Sequence, residues 1–206
     1  SSGLLLRRYG GAVALPKEIT EPTNIKLSKR KLAIAKQAAS LIRDHHRIII
    51  DSGRTTAALV AELQQKKGLL VMTNSLSIAA DIQNLEKEPT LLMTGGTWDP
   101  HSEAFQGQVA EQALRSYDFD QLFIGADGID IDRGTTTFNE LIGLSQVMAE
   151  VSREVIVMIE SEKIGRKIPN LEIPWQQIHT VITDNDLDAE IKELLLKQGV
   201  NLLIAK

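Results

Sequence analysis

Ile48-Ile49-Ile50-Asp51-Ser52-Gly53-Arg54-Thr55-Thr56 is the stretch from which the rest of the chain can be read. Three β-branched residues in a row predict a buried strand, because branching at Cβ suits a covered, pleated surface. The run breaks at Ser52-Gly53, and Ala57-Ala58-Leu59-Val60-Ala61-Glu62-Leu63 predicts a helix capped by Thr55 or Thr56. A strand turning through glycine into a helix leaves the first helical N–H groups without partners, where the helix dipole is positive. An anion, typically a phosphate, suits that turn. Arg54 and the hydroxyls of Ser52, Thr55 and Thr56 add donors. An ordinary βα turn with a hydroxyl cap gives the same pattern in isolation. Recurrence of the pattern downstream favours a site.

Working outward, Ser28 predicts the cap of a helix with Leu32, Ala35, Ala38, Ala39 and Ile42 at helical spacing, ending near Asp44-His45-His46. The adjacent histidines read as a favourable C-terminal charge and a surface residue rather than a metal site, since neighbours on a helix do not face one another. After the opening stretch, strand and helix signals alternate. Leu69–Met72 reads as a strand, followed by Thr73-Asn74-Ser75 and a helix from Leu76 to Leu85. Thr90–Thr94 reads as a strand, then Gly95-Gly96-Thr97, an irregular loop over 98–106 and a short helix over 107–116. Gln121–Ile124 is a strand ending at Gly125-Ala126-Asp127-Gly128-Ile129-Asp130. A loop holding Gly134-Thr135-Thr136-Thr137 leads into a helix from Asn139 to Ser152. Val155–Ile159 is the most continuous β-branched run and is expected at the centre of the sheet. Ile178–Thr183 is a further strand, Asp188–Gln198 a helix stopped by Gly199, and Asn201–Ile204 a last edge strand.

Such alternation implies βαβ units, an α/β fold and a mainly parallel sheet flanked by helices. Ligands then bind at the carboxyl ends of the strands, near a switch in strand order. The segments 51–56, 73–75, 95–97 and 125–130 each follow a strand, so they are expected to converge on one rim.

The 206 residues suffice for one or two domains with a sizeable core. A net charge of −4 argues against a chain that coats nucleic acid by itself. With no cysteine, disulfides and thiolate metal sites are excluded, which fits a reducing compartment. There is no apolar run of the roughly 18 residues that span a bilayer and no signal peptide, so a cytoplasmic protein without a membrane partner is expected. Near the start, Arg7-Arg8-Tyr9-Gly10-Gly11-Ala12-Val13 reads as the end of a hairpin, and Pro16 and Pro22 mark an extended linker. Its basic cluster either touches a phosphate backbone or is a solvated terminus.

Asp51-Ser52-Gly53-Arg54-Thr55-Thr56, Thr73-Asn74-Ser75, Gly95-Gly96-Thr97, Gly125-Ala126-Asp127-Gly128-Ile129-Asp130 and Ser161-Glu162-Lys163-Ile164-Gly165-Arg166 together resemble the effector-sensing domain of the DeoR-type sugar-operon regulators. The order and spacing match over residues 27–206. Arg8-Tyr9-Gly10-Gly11-Ala12-Val13 resembles the end of that family's DNA-binding winged helix-turn-helix, so residues 1–26 are expected to be a remnant of that domain and its linker. The resemblance implies a Rossmann-like fold similar to ribose-5-phosphate isomerase and glucosamine-6-phosphate deaminase. It also implies a phosphorylated sugar or sugar alcohol as effector, operator DNA bound through the missing N-terminal domain, and a homo-oligomer, dimer or tetramer. By the same resemblance Ser52, Gly53, Arg54, Thr55, Thr56 and Lys163 would hold the phosphate. Asp51, Asn74, Ser75, Gly95, Gly96, Asp127 and Asp130 would line the sugar. No metal, cofactor or catalytic residue is implied. The chemistry agrees, because hydroxyls suit carboxylate acceptors and phosphate suits N–H and cationic donors.

Two departures stand out: Arg54 replaces a small hydroxyl residue common in the family, and Glu160 replaces an aspartate. Gly134–Glu140 resembles members that respond to hexitol phosphates. Each residue also has a structural alternative. Asp127 could brace the Gly128 turn, Asp130 could pair with Arg133, and Lys163 could be a surface lysine. Glu140 is read as a cap for the next helix, and Trp98 and Trp175 as packing residues. The expected function is the sensor of a regulator, a repressor, of a sugar or sugar-alcohol operon. The competing reading is a sugar-phosphate isomerase or deaminase, with Asp127 or Asp130 as general base. Fold similarity alone does not carry that activity.

Overall fold

The computed structural model describes residues 28–140 and 142–206, together with the backbone of 5–8 and 11–14. The early hairpin is present: β1 (Leu5–Arg8) pairs antiparallel with β2 (Gly11–Ala14), Arg8 opposite Gly11. Tyr9 and the linker around Pro16 and Pro22 lie outside the described residues.

The centre is a seven-stranded, wholly parallel sheet. It is built from β3 (Arg47–Ile50), β4 (Leu70–Thr73), β5 (Thr90–Met93), β8 (Phe119–Ile124), β11 (Ser152–Met158), β13 (Thr180–Asp184) and β14 (Asn201–Ala205). The strand order is β14-β13-β11-β8-β3-β4-β5. The chain therefore runs outward from β3 to one edge, returns to β8, and runs outward to the other edge. This is a Rossmann-like arrangement, and its strand order reverses between β3 and β8.

Period-two alternation divides the core. Ile48 and Ile50 face the helices α1 (Lys29–Ala39), α2 (Arg54–Ala61) and α3 (Leu76–Gln83), while Ile49 faces the other layer. That second layer is α4 (Gln108–Arg115), α5 (Gly143–Glu150) and α6 (Ala189–Lys197), packed with Leu122, Ile124, Val155 and Val157. The sheet is covered on both faces, which explains its near-continuous β-branched strands.

Several elements differ from the sequence expectation. β11 is interior, but β8 holds the middle position. In α1 the buried face is Ile34, Ala35, Ala38 and Ala39, while Leu32 points outward at 45% exposure. The helix expected from Asn139 begins only at Gly143 and is capped by Ile142 without a side-chain bond, so Glu140 is not its cap. The loop over 98–106 contains a hairpin, β6 (Thr97–Asp99) with β7 (Ala104–Gln106). A second, antiparallel sheet lies where the sequence predicts no strands: β9 (Gly128–Asp130), β10 (Gly134–Thr137) and β12 (Asn170–Pro174), ordered β12-β10-β9. Gly134 is required there, because it sits at φ 133° and an added Cβ would fall 2.2 Å from Ile173 O.

Candidate effector site at the strand carboxyl ends

The turn after β3 lies where the strand order reverses. Asp51 N–H donates to Phe123 O on β8 (3.0 Å), which fixes the turn against its neighbour. Gly53 is the N-cap of α2, at φ 151°, and no side chain caps this helix. The expected threonine caps are thus displaced by two or three residues into the first turn. Thr56 is fully buried and its hydroxyl donates back to Gly53 O (3.0 Å); Thr55 is buried beside it. By contrast, Ser28, Ser75 and Asp188 cap α1, α3 and α6 with their side chains. The first N–H groups of α2 lack a side-chain cap, and Ser52 and Arg54 are half-buried around them. A helix start of this kind, at a strand-order switch, suits an anion.

Asn74, 3% exposed, straps this turn to the next one. It accepts from Ser52 N–H (2.9 Å), donates to the Asp51 carboxylate (2.8 Å), and its carbonyl accepts from Phe105 N–H (2.8 Å). Its side chain therefore shapes the wall by holding Asp51 and Ser52. Ser75 is similarly committed: it is 2% exposed, caps Ile78 N–H, and its own N–H donates to Thr73 Oγ1. After β5, Gly95 (φ 61°) and Gly96 (φ 109°) turn the chain into the β6–β7 hairpin. An added Cβ at Gly96 would lie 2.5 Å from Gln106 O, so only glycine allows that approach. Trp98 contacts Phe105 edge-on yet is 41% exposed, whereas Trp175 is buried and donates to Ile131 O.

The structure separates the two aspartates of the Gly125–Asp130 segment. Asp127 is half-buried after β8 and accepts from Thr137 Oγ1 (2.8 Å) and Phe138 N–H (3.0 Å). Asp130 is taken up by a tight turn, accepting from Arg133 Nε (2.9 Å) and Asp132 N–H (3.0 Å). Burial pushes its pKa up, but the bonds and charge of Arg133, with the Asp132 N–H, outweigh this and hold it below the usual carboxylate value. Lys163 is half-buried in a single 3₁₀ turn, Ser161–Lys163, following β11.

A residue that the sequence reading missed is Glu172. The β10–β12 register jumps between Thr135, opposite Ile173, and Thr136, opposite Leu171, leaving Glu172 as the unpaired residue of a bulge. Bulges re-aim side chains. Glu172 turns inward, 9% exposed, and accepts from Ser145 Oγ (2.7 Å). Burial, followed by the negative charges of Asp51 and Asp127, pushes its carboxyl up to about 8, against the pull of the Ser145 bond. Asp51 is raised to about 6 by burial, opposed by the bonds from Asn74 and Ser52.

A cleft of about 370 Å³ lies at the opposite, amino end of the sheet, lined by Arg43, His46, Asp120, Gln121, Arg153 and Glu154 among others. Its charges are of both signs. Asp120 and Glu154 stand beside its arginines, and its buried Gln121 is already engaged by His46, Leu41 O and Glu154.

A parallel sheet with helices on both faces and a polar rim at its switch point is the architecture in which α/β domains receive small ligands. The model of the DeoR C-terminal sensor domain matches residues 26–185, and the chain belongs to that family. It is 36% identical over 210 residues to a putative aga operon transcriptional repressor of Escherichia coli O157:H7, covering 98% of this chain and 77% of that protein. It is 29% identical to the HTH-type transcriptional regulator GlpR of Haloferax volcanii, covering 98% of this chain and 80% of that protein. Among solved structures, eIF2B beta from Chaetomium thermophilum superposes at a TM-score of 0.52 with 15% identity, over 74% of this chain and 48% of that one. Ribose 5-phosphate isomerase A from Methanocaldococcus jannaschii gives a TM-score of 0.46 with 19% identity, over 65% of this chain and 53% of that one. The chain thus spans about half the length of these two solved proteins. Residues 26–185 are a DeoR-family sensor domain, and these relatives, matched over most of the chain, are transcriptional regulators, not enzymes. No helix among the described residues is long and apolar enough to cross a membrane.

Proposed function

We propose that the chain senses a phosphorylated sugar or sugar alcohol, and that this effector changes how a homo-oligomeric repressor, dimer or tetramer, engages operator DNA. Residues 27–206 form the sensing unit, and DNA contacts belong to a segment outside it. The observation that carries this reading is the start of α2: a glycine N-cap without a side-chain cap, placed between β3 and β8. Phosphate sits on the N–H groups of Gly53, Arg54 and Thr55, with the Ser52 hydroxyl and the Arg54 and Lys163 cations around it. Thr56 supports that turn from within. Asp51 and Asp127, with the backbone of Gly95 and Gly96, face the hydroxylated carbons, while Asn74 and Ser75 hold the wall in shape. Asp130 serves the Arg133 turn.

For DNA release, the effector must bind the DNA-free arrangement more tightly than the DNA-bound one. The test is a thermal-shift screen of phosphorylated sugars and polyols beside their unphosphorylated parents. A ligand at 100 times its Kd adds about 2.7 kcal/mol. One phosphorylated compound should raise Tm, its parent should not, and Arg54→Glu should abolish the shift. Equal shifts for compound and parent would refute a phosphate site at this turn.

A further inference from the structure

The 161–163 turn that carries Lys163 is held from two sides. On one side Asp184 accepts from Ser161 N–H (2.8 Å) and Ser161 Oγ (2.7 Å). On the other stands Glu160, 6% exposed, whose backbone carbonyl accepts from Lys163 N–H (3.0 Å). The Glu160 carboxylate reaches the first turn of α1. It accepts from Ser28 Oγ (2.8 Å) and lies 3.1 Å from Lys31 Nζ, on a lysine side chain only 12% exposed. Ser28 Oγ at the same time accepts from Lys31 N–H (3.2 Å), so one hydroxyl caps α1 and ties it to Glu160. Arg30 adds a second tie, 2.6 Å from Asp186 and 3.7 Å from Glu162. Beyond Lys163, Gly165 N–H donates to Ile129 O (2.8 Å), joining the turn to β9 beside Asp127.

A buried carboxylate bonded by a hydroxyl and an ammonium is a poor way to gain net stability, since desolvation offsets much of the attraction. It does hold the two segments to each other, because parting them would leave a buried carboxylate without its partners. The two segments are the turn holding Lys163 and the first turn of α1, where the chain enters the sensing unit. We infer that Glu160 is the positioning residue that couples the effector rim to the start of α1, through Ser28 and Lys31. This rests on the rim being the phosphate site. Anion binding at Lys163 shifts the 161–163 turn, and the shift is carried along the Glu160 side chain to α1. Reciprocity then requires that loosening the α1 contact change anion affinity.

Inorganic phosphate and glucose 6-phosphate serve as probes, with Kd measured by calorimetry and amide exchange followed over residues 29–33. In the wild type, saturating probe should change exchange in that turn at least threefold. Glu160→Gln should weaken probe binding about fivefold or more, at the lower end of typical coupling, and abolish the exchange response. Ser28→Ala is the milder variant should Glu160→Gln fail to fold; it should reduce both effects while α1 remains helical. Wild-type Kd with a lowered Tm in both variants would make the contact merely structural and overturn the inference. If neither probe nor any phosphorylated sugar binds the wild type, the phosphate reading itself falls, and the coupling with it.

Discussion

The difference in unfolding free energy between wild type and Glu172→Gln should depend strongly on pH. Burial of Glu172 in the bulge, followed by the charges of Asp51 and Asp127, moves its carboxyl from 4.5 to about 8 against the pull of the Ser145 bond. Below the unfolded value both states hold the proton. Between about pH 4.5 and 8 the unfolded chain releases it and the folded chain retains it, so stability falls as pH rises. Above about 8 both states are ionised and the loss is complete. At 1.36 kcal/mol per unit the full linkage is about 5 kcal/mol, and on the order of 2–5 kcal/mol after relaxation and water entry. Glutamine keeps an acceptor for Ser145 but does not titrate. Urea unfolding at half-unit steps from pH 5 to 8.5 should therefore show the variant gaining on the wild type throughout. Asp51 titrates in both proteins and largely cancels. A difference that stays flat within about 0.5 kcal/mol would mean that Glu172 is not held protonated in the fold, and the inward bulge would be wrong.

Other expectations can be checked on the same preparations. Gly134→Ala places a Cβ against Ile173 O in backbone that L residues rarely adopt, and should cost about 2–4 kcal/mol in urea unfolding. Asp188→Ala removes the acceptor for Glu190 and Ile191 N–H at the start of α6, and should cost about 1 kcal/mol. Asn74→Ala releases both Ser52 and Asp51, so phosphate affinity should drop and the Asp51 pKa, followed by carbonyl NMR, should rise further above 6. Wild-type affinity in that variant would show that the strap does not shape the site.

The large sheet was legible because its strands are buried on both faces. Ile48–Ile50 and Val155–Met158 need no alternation to be recognised, and glycine or hydroxyl residues mark where each one ends. The small sheet was not legible. Gly134-Thr135-Thr136-Thr137 carries no apolar residue, and its burial comes from β9, whose residues carry a turn signal, and from β12, which lies far away in sequence. Glu172 shows the same limit more sharply. Between Leu171 and Ile173 it reads as the outward residue of an alternating strand, and only the register jump turns it inward. The rim segments were found by position, but the work of individual side chains was not. Ser75 and Thr56 turn out to satisfy the backbone, and Asp130 its own turn, because short polar side chains near helix starts and tight turns bond locally first.

The central claim is that an anion is received at the start of α2. An amide NMR titration of the chain with inorganic phosphate, then with glucose 6-phosphate, tests it most directly. The account predicts that the largest shifts fall on Ser52 to Thr55, with Lys163 following. Shifts confined to the amino-end cleft around Arg43, His46 and Arg153, or no saturable shift with any phosphorylated compound, would contradict it.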